Sequence, residues 1–198
     1  GIVDTRAATP NFIGPSARPV VWYCSEDQES VLLHDDNVAL RQLVRGSMGA
    51  GKTTLGAMWL WLRVIEWMGH RDATIGVTAP TTPRLDEVKR VLGGSRWNGT
   101  GLWPKSWWHW HERSGILTTC LGVSLHFTST HQTSADAGSR IQAFNWFASY
   151  NDELQDYFEV DGDIDARGRA APGGRYKRFA SVTVKDHAGW RTFRDRIT

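Results

Sequence analysis

One nine-residue stretch, GSMGAGKTT at positions 46–54, constrains the fold of this chain more than any other part of the sequence. It fits the Walker A pattern G-x-x-x-x-G-K-[ST], with the fixed positions filled by Gly46, Gly51, Lys52 and Thr53. The segment before it, 40–46, has the composition of a strand, and the segment after it, 53–68, is a helical pattern apolar on nearly every side. A strand, a glycine-rich loop and a helix in this order predict a loop that binds phosphate groups.

The chemistry of such a loop follows from its residue types. Its glycines let backbone N–H groups turn toward an anion, and the N-terminus of the following helix adds partial positive charge. Lys52 is expected to reach the terminal phosphates of ATP, and Thr53 to offer its hydroxyl to Mg²⁺. The residues predicted to surround the phosphates are Gly46, Ser47, Met48, Gly49, Ala50, Gly51, Lys52, Thr53 and Thr54.

Two adjacent acids, Asp152 and Glu153, follow a predicted strand that ends in FNWFASYN. Beside a phosphate loop, Mg²⁺ is usually held by the loop hydroxyl and by an aspartate on another strand, which predicts Asp152 as the second metal ligand, a Walker B acid. Glu153 is then placed to orient or deprotonate the attacking water. The alternative is that both acids cap a following helix, because the strand before them contains polar residues that a buried strand usually lacks: Asn145, Ser149 and Asn151.

An ATPase also needs positive charge beside the γ-phosphate, commonly from an arginine of the same or a neighbouring subunit. Arg140, in ADAGSRIQAF just before the acidic strand, is the candidate that we favour as a catalytic residue alongside Lys52 and Glu153. Arg45, next to the phosphate loop, and Arg84, in the second predicted helix, are the alternatives.

The remaining patterns predict an α/β protein. A strand over 73–80 is followed by a helix over 82–92, and a last strand over 178–184 precedes a closing helix. Short strands between 107 and 129 are expected to form hairpins against the parallel sheet. We therefore predict a P-loop NTPase fold of the RecA/ASCE type, with a mainly parallel central sheet flanked by helices and with added antiparallel strands.

Composition bounds the class of protein. The chain has 198 residues, of which 40% are hydrophobic and 22% charged, enough for one domain with a full core. No apolar run approaches the roughly 18 residues of a membrane span, and no secretory signal is visible, so we expect an intracellular protein without a membrane partner. The formal net charge of +2 permits a nucleic-acid partner without requiring one. Most of the eleven tryptophans are expected to pack in the core.

Two further patterns are weak as metal sites. Asp161, Asp163 and Asp165 resemble the start of a calcium loop, but the glycine and the glutamate that such a loop requires are replaced. His109 and His111 share a strand face without a visible third ligand. A basic cluster is equally consistent with contact to a phosphate backbone and with a solvated loop: Arg167, Arg169, Arg175, Lys177 and Arg178.

The order of these motifs resembles the motor ATPase domain of the large terminase subunit, which packages DNA into tailed-phage and herpesvirus capsids. The segments that carry the resemblance, over about residues 20–198, are GSMGAGKT, TAPT, SADAGSRIQAF, NDE and SVTVKDHAGWRTF. The resemblance implies ATP hydrolysis that drives double-stranded viral DNA into a procapsid. It also implies that Arg140 acts on the ATP of a neighbouring subunit. Ser181, Val182 and Thr183 match a coupling motif that links loss of the γ-phosphate to domain movement.

The resemblance further implies partners and a location. A homo-oligomeric ring would assemble on a portal protein in the host cytoplasm, with a small terminase subunit as a possible partner. We expect residues 1–19 to be an arm or linker and 20–198 to be the ATPase domain. Terminases also carry a nuclease domain, which is absent here, so we expect a domain of a longer protein. The family often has arginine where Met48 stands. A helicase-like nucleic-acid-dependent ATPase and a non-hydrolysing nucleotide-switch adaptor are the alternatives.

Overall fold

The computed structural model of the protein describes residues 2–4, 21–23, 25–33, 41–95, 98–130, 145–168 and 171–183. The strands in this part of the chain are β1 Ile2–Asp4, β2 Val21–Tyr23, β3 Arg41–Gly46, β4 Thr74–Ala79, β5 Trp108–His111, β6 Ile116–Thr119, β7 Ser124–Ser129, β8 Ala148–Asn151 and β9 Lys177–Thr183. The α-helices are α1 Glu26–Leu33, α2 Lys52–Glu66, α3 Thr82–Gly93 and α4 Asp161–Arg167. Short 3₁₀ helices lie at Lys105–Trp107, Leu154–Asp156, Phe158–Val160 and Pro172–Gly174.

A seven-stranded sheet in the order β3-β9-β8-β4-β7-β6-β5 forms the centre of the described structure. Every pair from β3 to β7 is parallel, whereas β6 pairs antiparallel with both β7 and β5. The predicted fold class, a P-loop NTPase with a mainly parallel sheet and added antiparallel strands, is confirmed. One detail differs, because β7 is not an outer hairpin strand: it pairs in parallel with β4 over six residues. Its buried centre, from Leu125 to Thr128, explains why it lies inside the sheet.

Parallel strands bring their carboxyl ends to one edge of the sheet. Gly46 at the end of β3 is in register with Thr183 at the end of β9. At the end of β8, Asn151 pairs with Ala180 of β9 on one side and with Thr78 of β4 on the other. The phosphate loop, the two acids, the TAPT segment and the proposed coupling motif, which are distant in sequence, therefore meet at this edge.

Helix α2 fixes the phosphate loop against the core. Its buried face includes Trp59 and Trp61, and the ring of Trp61 stacks on Trp107 with centroids 4.0 Å apart. Trp67 and Trp103 are also fully buried. The expectation that most tryptophans serve core packing is confirmed for these residues.

The polar residues of β8 have an explanation in packing. Ser149 and Asn151 face away from α2, and Arg178 of β9 donates from Nε to Asn151 Oδ1 over 2.7 Å. The same guanidinium is paired with Asp161 and Asp165 of α4. A buried charge requires such partners, and the polar face of β8 supplies one of them through Asn151.

This packing also bears on the basic cluster and the aspartate triplet. Lys177 is buried and pairs with Glu66 at 2.8 Å, and Arg178 is buried against α4, so neither is exposed to a DNA backbone. Asp161 and Asp165 lie on helix α4 rather than in a calcium loop.

Several sequence expectations fall wholly or partly outside the described residues. Arg140 and the closing helix predicted over 189–197 lie outside them. So does most of the predicted arm, 1–19. The part of the arm that the structure describes is β1, which pairs antiparallel with β2. None of the helices that the structure describes is long and apolar enough to cross a membrane.

Gly56 of α2 provides a test of this packing. A Cβ atom at Gly56 would clash with Cζ of Tyr150, whose ring is fully buried between α2 and the sheet. We expect G56A to lower the free energy of unfolding by about 1–3 kcal/mol, because the ring is fully buried and its hydroxyl is bonded to Asp152. Urea denaturation measures this as a shift in midpoint at constant slope.

Gly162 is the matched control, because it also lies in a helix and a Cβ there would meet no atom within 4 Å. G162A should leave stability unchanged or raise it slightly, since alanine favours helix. Equal effects of the two variants would contradict the packing argument.

Candidate nucleotide site

The phosphate loop joins β3 to α2 with the backbone that its glycines permit. Gly49 and Gly51 adopt φ of 79° and 72°, in the left-handed region that other residues avoid. Gly51 is the N-cap of the 15-residue helix α2 and brings no capping side chain. The first N–H groups of the helix are therefore available to an anion. The Met48 side chain is 80% exposed.

Lys52 lies across the mouth of this loop. Its Nζ donates to the carbonyl oxygens of Gly46, at 3.0 Å, and Ser47, at 2.7 Å. Burial lowers the pKa of Lys52, and the negative charges of Glu153 and Asp152 oppose that shift. The ammonium group thus lies between the loop and the two acids, where terminal phosphates would be held.

Asp152 is fixed through one carboxylate oxygen. Its backbone N–H donates to the carbonyl of Thr78 at 2.8 Å, which ties it to the end of β4. Its Oδ1 accepts from the hydroxyls of Tyr150, at 2.6 Å, and Ser181, at 2.7 Å. Burial raises the pKa of the Asp152 carboxyl, and these two hydrogen bonds counteract part of that rise. A buried carboxylate of this kind gains from a cation beside it.

Glu153 has an unusual backbone conformation, and groups of β9, α3 and the following 3₁₀ helix contact it. Its φ of 52° and ψ of 46° place a non-glycine residue in the left-handed region. Thr183 donates to Oε1 at 2.8 Å and Gln155 donates to Oε2 at 3.1 Å. The backbone N–H donates to Ser181 Oγ at 3.3 Å, and Arg84 Nη2 lies 3.7 Å from Oε1.

The alternative role for Glu153, helix capping, is not what its side chain does. Glu153 precedes the 3₁₀ helix Leu154–Asp156 but makes no side-chain cap bond to it among the described residues. The carboxylate instead contacts β9, Gln155 and α3, which leaves it directed along the sheet edge.

The end of β9 alternates between the site and the core. Ser181 bonds to Asp152 and Thr183 bonds to Glu153, whereas Val182, between them, packs into a cluster with Trp146 and Leu154. This alternation is the two-residue period of a strand. The three residues matched to a coupling motif therefore divide into two that contact the acids and one that anchors the strand.

The predicted magnesium ligands fit the ion by their chemistry. Thr53 offers a hydroxyl, and Asp152 offers a carboxylate whose bonds from Tyr150 and Ser181 both end on Oδ1. In the part of the chain that the structure describes, no group of three or more His, Cys, Asp or Glu is arranged to hold a metal. One carboxylate with a hydroxyl suits Mg²⁺, which usually keeps water and nucleotide phosphates as its other ligands.

Two residues of this site were not identified from sequence. Tyr150 stands two positions before Asp152, so the strand period places both side chains on the same face. The strand period therefore predicts that Tyr150 lies beside Asp152. No local pattern predicts the hydrogen bond from Gln155 to the Glu153 carboxylate. Of the alternative arginines, Arg84 contacts Glu153, while Arg45 is exposed on β3.

The fold is similar to those of phage large terminases. The large terminase of a thermophilic bacteriophage matches over 81% of this chain with 18% identity and a TM-score of 0.61. That of bacteriophage HK97 matches over 98% with 15% identity and a TM-score of 0.62. The Thermus phage P74-26 large terminase ATPase domain matches over 96% with 13% identity and a TM-score of 0.60. The chain thus has the fold of terminase ATPase domains, as the motif order predicted.

The extent of the match is partial for the longer proteins. The chain covers 39% of the first of these terminases, 40% of the HK97 protein and 74% of the P74-26 domain. Structures of the first terminase in complex with ADP and with ATP-γ-S are among the similar ones. No family model matches the sequence, and a search of curated proteins finds no match.

Ser181 provides a pH-dependent test of the site. S181A removes a donor to a buried carboxylate, which should cost about 1.5–3 kcal/mol of unfolding free energy at neutral pH. Because this bond opposes the rise in the pKa of Asp152, its contribution is present while the carboxyl is ionised and is lost as pH falls. The stability difference between wild type and S181A should therefore shrink on acidification, as measured by urea unfolding at several pH values.

S149A is the matched control for that measurement. Ser149 is equally buried on the neighbouring strand, but its partners are the amide of Asn151 and the phenol of Tyr176. Burial raises the pKa of Tyr176 to about 12, so both partners stay uncharged from acid to neutral pH. If the loss of unfolding free energy in S181A is as independent of pH as the loss in S149A, an ionised Asp152 is ruled out as the partner of Ser181.

Proposed function

We propose that this chain is the ATPase domain of a viral large terminase, which hydrolyses ATP to move double-stranded DNA into a procapsid. One observation carries the proposal: the two hydroxyls at the end of β9 bond to the two acids that would hold the metal and activate water. A site that only binds nucleotide has no need of this link between its acids and a third strand. The terminase-like fold, and the nucleotide complexes of the thermophilic-bacteriophage terminase, support the same assignment.

The reaction assigned to the site is hydrolysis of the γ-phosphate. Glu153 accepts a proton from water as the water oxygen bonds to the γ-phosphorus. The bond from that phosphorus to the bridging oxygen breaks, and its electron pair leaves with ADP. Lys52 and the loop N–H groups offset the charge on the phosphate oxygens. Mg²⁺ held by Thr53 and Asp152 would neutralise charge on the β- and γ-phosphates.

Coupling follows from the same contacts. Thr183 and Gln155 each donate to the Glu153 carboxylate, and Ser181 bonds to both residues of the acid pair. Loss of the γ-phosphate changes the charge that faces Glu153, so the bonds to the end of β9 change with it. In this proposal that strand end transmits the hydrolysis step to whatever follows it in the chain.

The wider assembly belongs to the proposal as well. The subunits would form a ring on a portal protein in the host cytoplasm, with DNA passing through it and with a small terminase subunit as a possible partner. Arg140 would act on the ATP of the adjacent subunit. Residues 20–198 would be the ATPase domain, with 1–19 as an arm or linker.

The first test replaces the proposed base. E153Q keeps the size of the side chain but replaces one acceptor oxygen with an NH₂ donor and removes the ability to accept a proton from water. We expect it to retain ATP binding and to reduce phosphate release by about 10²–10⁴-fold. E159Q, at an exposed glutamate in the 3₁₀ helix Phe158–Val160, is the control and should release phosphate at the wild-type rate.

Two outcomes of this test would redirect the assignment. Unchanged turnover in E153Q would remove Glu153 from the mechanism. Nucleotide binding by the wild type without any phosphate release, at any protein concentration and with DNA present, would favour the nucleotide-switch adaptor.

The second test addresses the arginine acting between subunits. R140A lacks the arginine but has an intact site, whereas E153Q has the arginine and an inactive site. If Arg140 acts in trans, a mixture of the two should recover part of the activity that each lacks alone, and wild-type activity per subunit should rise with protein concentration. No recovery, combined with concentration-independent wild-type turnover, would refute action between subunits.

A further inference from the structure

Arg84 lies at the edge of the candidate site with two carboxylates in reach. Its Nη1 is 3.0 Å from Oε2 of Glu87, one turn further along α3, and its Nη2 is 3.7 Å from Oε1 of Glu153. The first distance is a hydrogen bond, and the second is an ion pair beyond hydrogen-bond length. The guanidinium is thus anchored on its own helix and directed toward the proposed base.

The fold explains how α3 delivers this side chain. Helix α3 begins directly after β4, with Thr81 as its N-cap, accepting a bond from the N–H of Arg84. Because β4 is the parallel neighbour of β8, the first turn of α3 stands beside the end of β8, where Asp152 and Glu153 lie. The position of Arg84 is therefore set by the sheet and by a capped helix start.

The charged groups around the phosphate position come from two helices and from the end of one strand: Lys52 of α2, Arg84 of α3, and Asp152 and Glu153 after β8. Arg84 lies within electrostatic range of Lys52, Asp152 and Glu153, opposing the cationic form of the lysine and favouring the anionic form of Asp152. The site therefore holds a second cation besides Lys52, supplied by the same chain. A guanidinium has five donors in a planar fork that suits phosphate oxygens.

Two contacts of Glu153 Oε1 differ in kind. Thr183 holds it by a 2.8 Å hydrogen bond, whereas Arg84 contacts it at 3.7 Å from a side chain that is 39% exposed. Of these two contacts, the long ion pair is the one more readily exchanged for another anion. A terminal phosphate placed beside Lys52 would be such an anion.

We propose that Arg84 is a contact of the terminal phosphate supplied in cis: on binding of a nucleoside triphosphate its guanidinium passes from Glu153 to the γ-phosphate. The inference rests on the proposed ATPase function and adds a residue to it. With a nucleoside diphosphate bound, Arg84 pairs with Glu153. With a triphosphate bound, Arg84 contacts the γ-phosphate, and Glu153 then contacts the attacking water without this ion pair. Arg84 thereby distinguishes ATP from ADP within one subunit, a role separate from that of Arg140.

The experiment compares two nucleotides on the wild type and three variants. Affinities of the whole chain for ATP-γ-S and for ADP, each with Mg²⁺, are measured by calorimetry for wild type, R84A, R84K and R90A. Arg90 is the matched control, because it lies on the same helix, 4.0 Å from Glu87, and is 60% exposed. Unfolding midpoints establish that each variant is folded.

We expect R84A to lose affinity for the triphosphate and not for the diphosphate. R84A should weaken ATP-γ-S binding by about 10-fold or more while changing ADP binding less than about 2-fold, as expected for loss of one charge-assisted contact. R84K should fall between R84A and wild type, because lysine keeps the charge without the fork. R90A should bind both nucleotides as the wild type does. If Arg84 had only a structural role, R84A would weaken the binding of both nucleotides together.

Failure of this inference is distinguishable from failure of the proposed function. If R84A weakens the binding of ATP-γ-S and of ADP equally, or changes neither affinity, the role of Arg84 is overturned. The ATPase assignment still stands in that case if E153Q abolishes hydrolysis. Selective loss of ATP-γ-S in R84A together with normal hydrolysis in E153Q supports the contact and removes Glu153 as the base. A wild-type chain that binds neither nucleotide overturns both.

Discussion

The site depends on hydrogen bonds between the ends of two neighbouring strands. Ser181 and Thr183 of β9 hold Asp152 and Glu153, which follow β8. Together with the bonds from Tyr150 to Asp152 and from Gln155 to Glu153, these donors offset the cost of burying the two carboxylates. The parallel sheet makes the contact possible by ending both strands at one edge, next to the loop that carries Lys52. Strand order thus determines which chemical groups can cooperate.

The opposite face of the same strands explains how that edge is supported. Arg178 donates to Asn151, the residue before Asp152, and is itself paired with two aspartates of α4. On the other side, Tyr150 fills the space left by Gly56 in α2 and reaches Asp152 through its hydroxyl. The end of β8 is consequently fixed from both faces, and its polar composition is a requirement of the packing.

Local sequence patterns predicted the parts of the site that have fixed spacing. The phosphate loop, the acid pair and the final strand all lie where their motifs placed them, because backbone geometry and strand period act over a few residues. Contacts that cross the sheet were not predictable in this way. The polar residues of β8 favour helix capping when read locally, whereas their partners are distant in sequence: Arg178 bonds to Asn151, and Tyr176 bonds to Ser149. The place of β7 within the parallel sheet likewise depends on pairing with β4.

The left-handed backbone at Glu153 sets a cost on keeping a carboxylate at this position. A non-glycine residue in that region is disfavoured by about 1–2 kcal/mol, and it persists here because several bonds oppose its return. Glycine at position 153 would adopt this backbone without that cost, but it would also remove the carboxylate. The position thus keeps an acid at the expense of local backbone stability.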